Sequence, residues 1–255
     1  MTKPTSVSTI VALGGGGFSM EPDNPILDDH VLSLATRRRG NGGLPRVCFV
    51  PTASGDAESY VDRFLAAFEG RAETSSLQLF HLEDLTHVDL RSFVLDQDVI
   101  YVGGGSTANL LALWRLHGLD EIFAAAAAGG VVLAGVSAGM NCWFEASVTD
   151  SFGPLAPLQD GLGFLAGSAC PHYDGEAERR PTYVDLVATG TLPAGFAADD
   201  GCALVFRDGE LLEAVSSRPG ARAWRVHLAG QGLDVIDGGQ APDVAESPLD
   251  VRFLG

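Results

Sequence analysis

Short, mostly apolar and β-branched runs, several of them ending at glycine, recur along the N-terminal half of the chain: Thr9–Leu13, Val47–Val50, Leu77–Leu82, Val99–Val102 and Val131–Ala134. Such runs read as parallel strands. Between them, Ile26–Thr36, Ser59–Phe68, Ala108–Leu116 and Leu119–Ala128 carry apolar residues at helical spacing, and each is long enough to cross back to the same edge of a sheet. The alternation predicts an α/β fold of three layers, α/β/α, with a mostly parallel sheet covered by helices on both faces.

After Asp150 the rhythm changes. Gly- and Pro-rich turns surround one charged helix around Glu176–Ala188, and three further strands are expected at Cys202–Phe206, Leu211–Val215 and Ala223–Leu228. Arg207-Asp208-Gly209-Glu210 reads as a hairpin turn, because Asp-Gly supplies the positive φ angles of a tight connection. The second half is therefore expected to be strand-rich and to complete the same domain, giving a single domain over 1–255. From Ala229 onward the chain is rich in Gly, Asp and Pro, and 229–255 reads as a tail packed on the surface.

Composition narrows the function classes. The chain has 255 residues, 46% of them hydrophobic, enough for a sizeable core. Sixteen Lys and Arg against 33 Asp and Glu leave a net charge of −17, which repels phosphate backbones and anionic headgroups, so neither nucleic acid nor membrane is an expected partner. Met1–Ile10 has no apolar core of signal-peptide length, and a cytoplasmic protein is expected. Cys48, Cys142, Cys170 and Cys202 lie far apart without Cys-x-x-Cys pairing, in apolar neighbourhoods suited to buried thiols, so neither a metal site nor a cofactor is expected.

The strongest local signal is Val131-Val132-Leu133-Ala134-Gly135-Val136-Ser137-Ala138-Gly139, an apolar strand running into Gly-x-Ser-x-Gly. Small residues on both sides permit a sharp strand-to-helix turn that exposes the Ser137 hydroxyl, with the N–H of Ala138 facing the reacting carbonyl. A second glycine loop, Val102-Gly103-Gly104-Gly105-Ser106-Thr107, follows a strand and opens a helix, so its N–H groups can face developing negative charge. The third, Gly14–Gly17, resembles a dinucleotide fingerprint, but Ser19 stands where the last glycine is needed and no acid follows at the end of a second strand.

A serine nucleophile needs a base and an orienting carboxylate. Of six histidines, His172 in Ala169-Cys170-Pro171-His172-Tyr173-Asp174 sits in a loop after an apolar segment, whereas His227 falls inside a strand. His172 is the expected base. Ala197-Ala198-Asp199-Asp200-Gly201-Cys202 offers two acids on one turn, Asp200 as the orienting acid and Asp199 in reserve.

Val-Gly-Gly-Gly-Ser-Thr, Gly-Val-Ser-Ala-Gly-Met-Asn, Ala-Cys-Pro-His-Tyr and Ala-Asp-Asp-Gly-Cys-Ala-Leu, in this order and spacing, resemble the peptidase E family of aspartyl dipeptidases, with cyanophycinases as more distant relatives. The resemblance runs from about Thr9 to Leu228. It implies a class I glutamine amidotransferase-like (flavodoxin-like) fold and hydrolysis of peptides beginning with aspartate by a triad of Ser137, His172 and Asp200. It also implies an oxyanion hole from Ala138 and one of Gly104 or Gly105, and a small peptide as substrate, while a homodimer stays open. An arginine of Glu176-Ala177-Glu178-Arg179-Arg180-Pro181, either Arg179 or Arg180, would bind the substrate's aspartate side chain. Asp200 stands where better-known members carry glutamate, and Ser106 where they often carry asparagine.

Two other readings compete. An α/β-hydrolase esterase would use the chain order Ser, acid, His, and so Asp150, Asp174 or Asp185 with His227. A non-catalytic binding module on the same fold is the other.

Overall fold

The computed structural model describes residues 8–35, 43–80, 89–229 and 244–255. In chain order the strands are β1 (Thr9–Leu13), β2 (Arg46–Val50), β3 (Glu73–Ser76), β4 (Val99–Val102), β5 (Val132–Val136), β6 (Phe144–Thr149) and β7 (Ala156–Leu158). They continue with β8 (Leu165–Cys170), β9 (Gly195–Ala198), β10 (Cys202–Arg207), β11 (Glu210–Ser216), β12 (Ala223–Leu228), β13 (Val244–Pro248) and β14 (Val251–Phe253). The helices are α1 (Gly17–Met20), α2 (Ile26–Leu34), α3 (Glu58–Phe68), α4 (Leu90–Leu95), α5 (Thr107–His117), α6 (Leu119–Ala128), α7 (Ala138–Asn141) and α8 (Arg179–Ala188).

An eight-stranded sheet has the order β14-β11-β10-β1-β5-β4-β2-β3. From β1 to β3 its neighbours run parallel, and β10 joins β1 antiparallel. Successive residues of β1 point to opposite faces. Ile10 and Ala12 enter one apolar cluster with Leu110, Trp114 and Phe123 of α5 and α6, and Val11 and Leu13 enter another with Val31 of α2 and Phe64 of α3. Burying each large aliphatic or aromatic side chain in these layers stabilises the fold by about 1.5–3 kcal/mol before entropy is counted. The parallel α/β core matches the expectation.

A second sheet of six strands, β13-β12-β9-β8-β6-β7, was foreshadowed only as a strand-rich second half. Phe144, Leu165 and Ala169 on one of its faces join the first core cluster, while Val148, Cys170 and Val226 pack with Tyr183 and Val187 of α8 on the other. It thus lies between the large sheet and α8. The turn at Arg207–Glu210 is the expected hairpin, with Asp208 and Gly209 at φ 51 and 85.

Several boundaries depart from the sequence pattern. The edge strand β3 is Glu73–Ser76, not Leu77–Leu82: Leu77 and Leu79 are buried outside any strand, and 81–88 lie outside the described residues. The strand is polar because it has a neighbour on one side only. The helix expected from Glu176 begins at Arg179. Residues 244–253, read as part of a surface tail, contain β13 and β14, which extend one sheet each. All four cysteines are buried and free of disulfides.

Candidate active site

The site forms at the C-terminal ends of β1, β4 and β5, where an open parallel sheet leaves a crevice. Every residue of β5 is buried, and the strand ends in Ser137 at φ 59, ψ −111, a conformation that costs a non-glycine residue energy. The turn is this sharp because its glycines allow it. A Cβ on Gly135 would stand 2.3 Å from Gly139 O, and one on Gly139 would stand 2.5 Å from Val102 O. Ala138 opens α7, so its N–H has no acceptor within that helix.

The end of β1 and the residue after it anchor the backbone of both Ser137 and His172. Ser137 N–H donates to Leu13 O at 3.1 Å, and His172 N–H donates to Gly14 O at 3.0 Å. His172, itself at φ 52, places Nδ1 2.6 Å from Asp200 Oδ1. With Asp200 ionised, Nδ1 carries the proton and Nε2 keeps a lone pair, the tautomer a general base requires. Asp200 is held in turn: its N–H donates to Asp174 Oδ1 at 2.9 Å, and its carbonyl accepts from Arg218 Nε at 2.6 Å. Arg218 also pairs with Asp174 at 2.5 Å.

Asp199 has a different task. Its carboxylate accepts from Arg222 N–H at 2.9 Å, and burial raises its pKa to about 6. Of the two acids on this turn, Asp200 meets the histidine. His227 sits in β12 with its ring nitrogens bonded to Leu228 O and Ser247 Oγ. Among the described residues the histidine–carboxylate pairs are His172–Asp200 and His30–Glu213, so none matches the Ser, acid, His order.

The second glycine loop lies against Ser137. A Cβ on Gly104 would be 3.3 Å from Ser137 Cβ. Its N–H is already engaged, donating to Tyr60 Oη at 3.2 Å, so of the two glycines expected at the oxyanion hole Gly105 is the one whose amide is not committed to Tyr60. Gly105 takes φ 135, and Ser106 caps α5 by accepting from Asn109 N–H at 3.3 Å.

The two arginines differ sharply. Arg179 is 2% exposed and forks onto Glu176, with Nε 2.6 Å from Oε2 and Nη2 3.3 Å from Oε1, while Asp150 lies 3.7 Å away. Its Nη1 also donates to Val148 O, the carbonyl that Asn141 of α7 reaches with its amide. Arg180 is half exposed, forks onto Glu246 of β13 at 2.9 and 3.0 Å, and stacks over Tyr173 and Trp224. It ties α8 to the second sheet.

The run Gly14–Gly17, set aside as a failed dinucleotide motif, is the floor beneath His172 and Asp200. A Cβ on Gly14 would stand 2.5 Å from Ala198 O and one on Gly15 2.0 Å from Asp200 Oδ1. Four successive glycines after a strand were the available signal, and what they accommodate is close approach of protein to protein. Tyr60 had no signal beyond a core aromatic on a helix.

The profile of peptidase family S51 matches residues 10–214. The chain belongs to peptidase family S51. An "Uncharacterized peptidase YgaJ" of Bacillus subtilis (strain 168) is 51% identical over 247 residues, covering 96% of this chain and 99% of that one. A "Peptidase E" of Streptomyces coelicolor is 29% identical over 150 residues, 57% of each chain. Among solved structures, a peptidase from an acI-B1 Actinobacterium superposes with a TM-score of 0.65 at 19% identity, over 96% of this chain and 98% of that one. A putative peptidase E protein from Listeria monocytogenes EGD-e gives 0.56 at 19% identity, over 81% and 98%. These two likenesses carry the fold, and the family match makes this S51 member a peptidase. Among the described residues no helix is long and apolar enough to cross a membrane.

Proposed function

We propose that this S51 peptidase is a serine-type dipeptidase that hydrolyses dipeptides or short peptides beginning with aspartate, with Ser137 as nucleophile, His172 as general base and Asp200 as the orienting acid. The observation that carries the reading is the 2.6 Å contact between His172 Nδ1 and Asp200 Oδ1, beside a serine at φ 59 anchored to the same turn of chain. Ser137 Oγ attacks the scissile carbonyl carbon while its proton passes to His172 Nε2, and Asp200 supports the imidazolium. The resulting oxyanion faces the N–H groups of Ala138 and Gly105. As the carbon–nitrogen bond breaks, the leaving amine takes the proton from His172. Water, deprotonated by the same histidine, then releases the acyl group from Ser137. The chemistry so written draws on side chains, backbone N–H groups and water.

Arg179 suits aspartate recognition better than Arg180. Arg180 is spent on joining α8 to β13. The guanidinium of Arg179 is buried, while its partner Glu176 is half exposed and lies just after His172, so a substrate carboxylate can take the place of the Glu176 carboxylate in a planar two-bond fork. A screen of dipeptides with varied first residues, run beside His172→Ala, Asp200→Ala and the double variant, tests the reading. Hydrolysis favouring aspartate, with the double variant no worse than His172→Ala, supports it. Additive losses remove Asp200 from the triad, and indifference to the first residue removes the aspartate preference.

A further inference from the structure

Tyr60 is 5% exposed on the inner face of α3, its ring in edge contact with Phe49 at 5.0 Å between centroids and beside Phe18 at 5.6 Å. Such packing looks purely structural. Its hydroxyl, however, emerges at the active-site loop, where it accepts the N–H of Gly104 at 3.2 Å and lies 2.6 Å from Ser19 Oγ. The loop is fitted to the ring: a Cβ on Gly103 would stand 2.9 Å from Tyr60 Cε1. Burial holds the phenol above its usual pKa, so it remains a neutral hydroxyl in the working range.

The loop is pinned on either side of Gly105. Tyr60 Oη takes the N–H of Gly104, and Ala53 O takes the N–H of Ser106 at 2.8 Å. Between these pins Gly105 adopts φ 135, a conformation that residues with a side chain rarely adopt, and a Cβ there would stand 2.2 Å from Ala53 O. We propose that Tyr60, with its hydroxyl set by Ser19, is a positioning residue that fixes the oxyanion loop beside Ser137 and directs the Gly105 N–H to the reacting oxygen. The glycine run Gly14–Gly17 then has a second purpose, since it leads directly into α1 and delivers Ser19 to Tyr60. A phenol hydroxyl can accept from one partner while it is held by another, so the two hydroxyls and the amide form one chain.

This inference rests on the assignment of Ser137 as nucleophile, and its test separates the two. Wild type, Tyr60→Phe and Ser19→Ala are compared for kcat and KM on a cleaved dipeptide, for the rate at which a fluorophosphonate modifies Ser137, and for melting temperature. Tyr60→Phe is expected to lower kcat by roughly 10- to 100-fold, less than outright loss of an oxyanion donor, with KM little changed. Phosphonylation, whose phosphoryl oxygen uses the same N–H groups, should slow in parallel, and Ser19→Ala should show a smaller loss of the same kind. A Tyr60→Phe protein with wild-type kcat, or one whose loss appears in KM alone, overturns the proposal. If Tyr60→Phe does not fold, Ser19→Ala with wild-type kcat and phosphonylation overturns it. A wild type that is active but not modified at Ser137 overturns the serine assignment and this proposal with it.

Discussion

Gly15 and Asp200 are packed so closely that a methyl group on the glycine would stand 2.0 Å from the carboxylate oxygen that meets His172. The same methyl would lie 3.1 Å from His172 Nδ1. Gly175 presses from another direction, where a Cβ would be 2.3 Å from Asp200 Oδ2. The carboxylate is therefore confined between two glycines.

Gly15→Ala should act as a remote version of losing the acid. The added methyl displaces Asp200 from the imidazole, and kcat should fall toward the roughly 10⁴-fold loss seen when a triad acid is disabled. Steady-state kinetics with a melting curve checks this. A folded Gly15→Ala protein with near-normal kcat would mean that Asp200 has room to move or does not matter.

Asp28 offers a pH signature away from the chemistry. It is buried, accepts from Tyr101 Oη at 3.1 Å, and burial raises its pKa to about 6. A carboxyl whose folded pKa lies above its unfolded value favours the folded state most when protonated. Its stabilising contribution is present below about pH 4 and is lost as pH rises through about 6. Asp28→Asn retains an acceptor for Tyr101 without the charge, so it should raise the melting temperature relative to wild type at pH 7.5, on the order of 5 °C, and by much less at pH 4. An equal effect at both pH values would contradict the burial argument.

Substrate choice should turn on Arg179 and its occupant. Arg179→Ala is expected to lose at least about tenfold of the preference for Asp-Leu over Ala-Leu, the scale set by truncating a buried two-bond partner. Glu176→Gln should lower KM for Asp-Leu a few-fold by weakening the internal competitor, and Arg180→Ala should leave the ratio unchanged. Equal losses on both substrates in Arg179→Ala would place recognition elsewhere.

What could be read in advance follows the strength of local constraint. Ser137 was legible because a strained elbow demands small residues at fixed spacing, and Gly135 and Gly139 meet backbone oxygens at 2.3 and 2.5 Å. The β5 strand is buried throughout and advertises itself. By contrast β8, Leu-Ala-Gly-Ser-Ala-Cys, and β3, Glu-Thr-Ser-Ser, lack bulky apolar residues in number, since one is packed tightly between neighbours and the other lies at an edge. Asp200 was preferred to Asp199 on the order and resemblance of the motifs, because residue type alone does not separate two adjacent acids. In the fold Asp200 points at His172 and Asp199 turns to Arg222 N–H. Tyr60 and Arg180 likewise have partners, Gly104 and Glu246, that no local pattern reveals.

The proposed hydrolysis turns on the chemistry of one hydroxyl, that of Ser137. A fluorophosphonate titration followed by intact-protein and peptide mass spectrometry, with residual dipeptidase activity measured on the same samples, tests it. One adduct per chain on Ser137, with activity lost in proportion and no adduct in Ser137→Ala, is the predicted result. Full modification of Ser137 with activity retained, or a Ser137→Ala protein that hydrolyses dipeptides at near the wild-type rate, would contradict it.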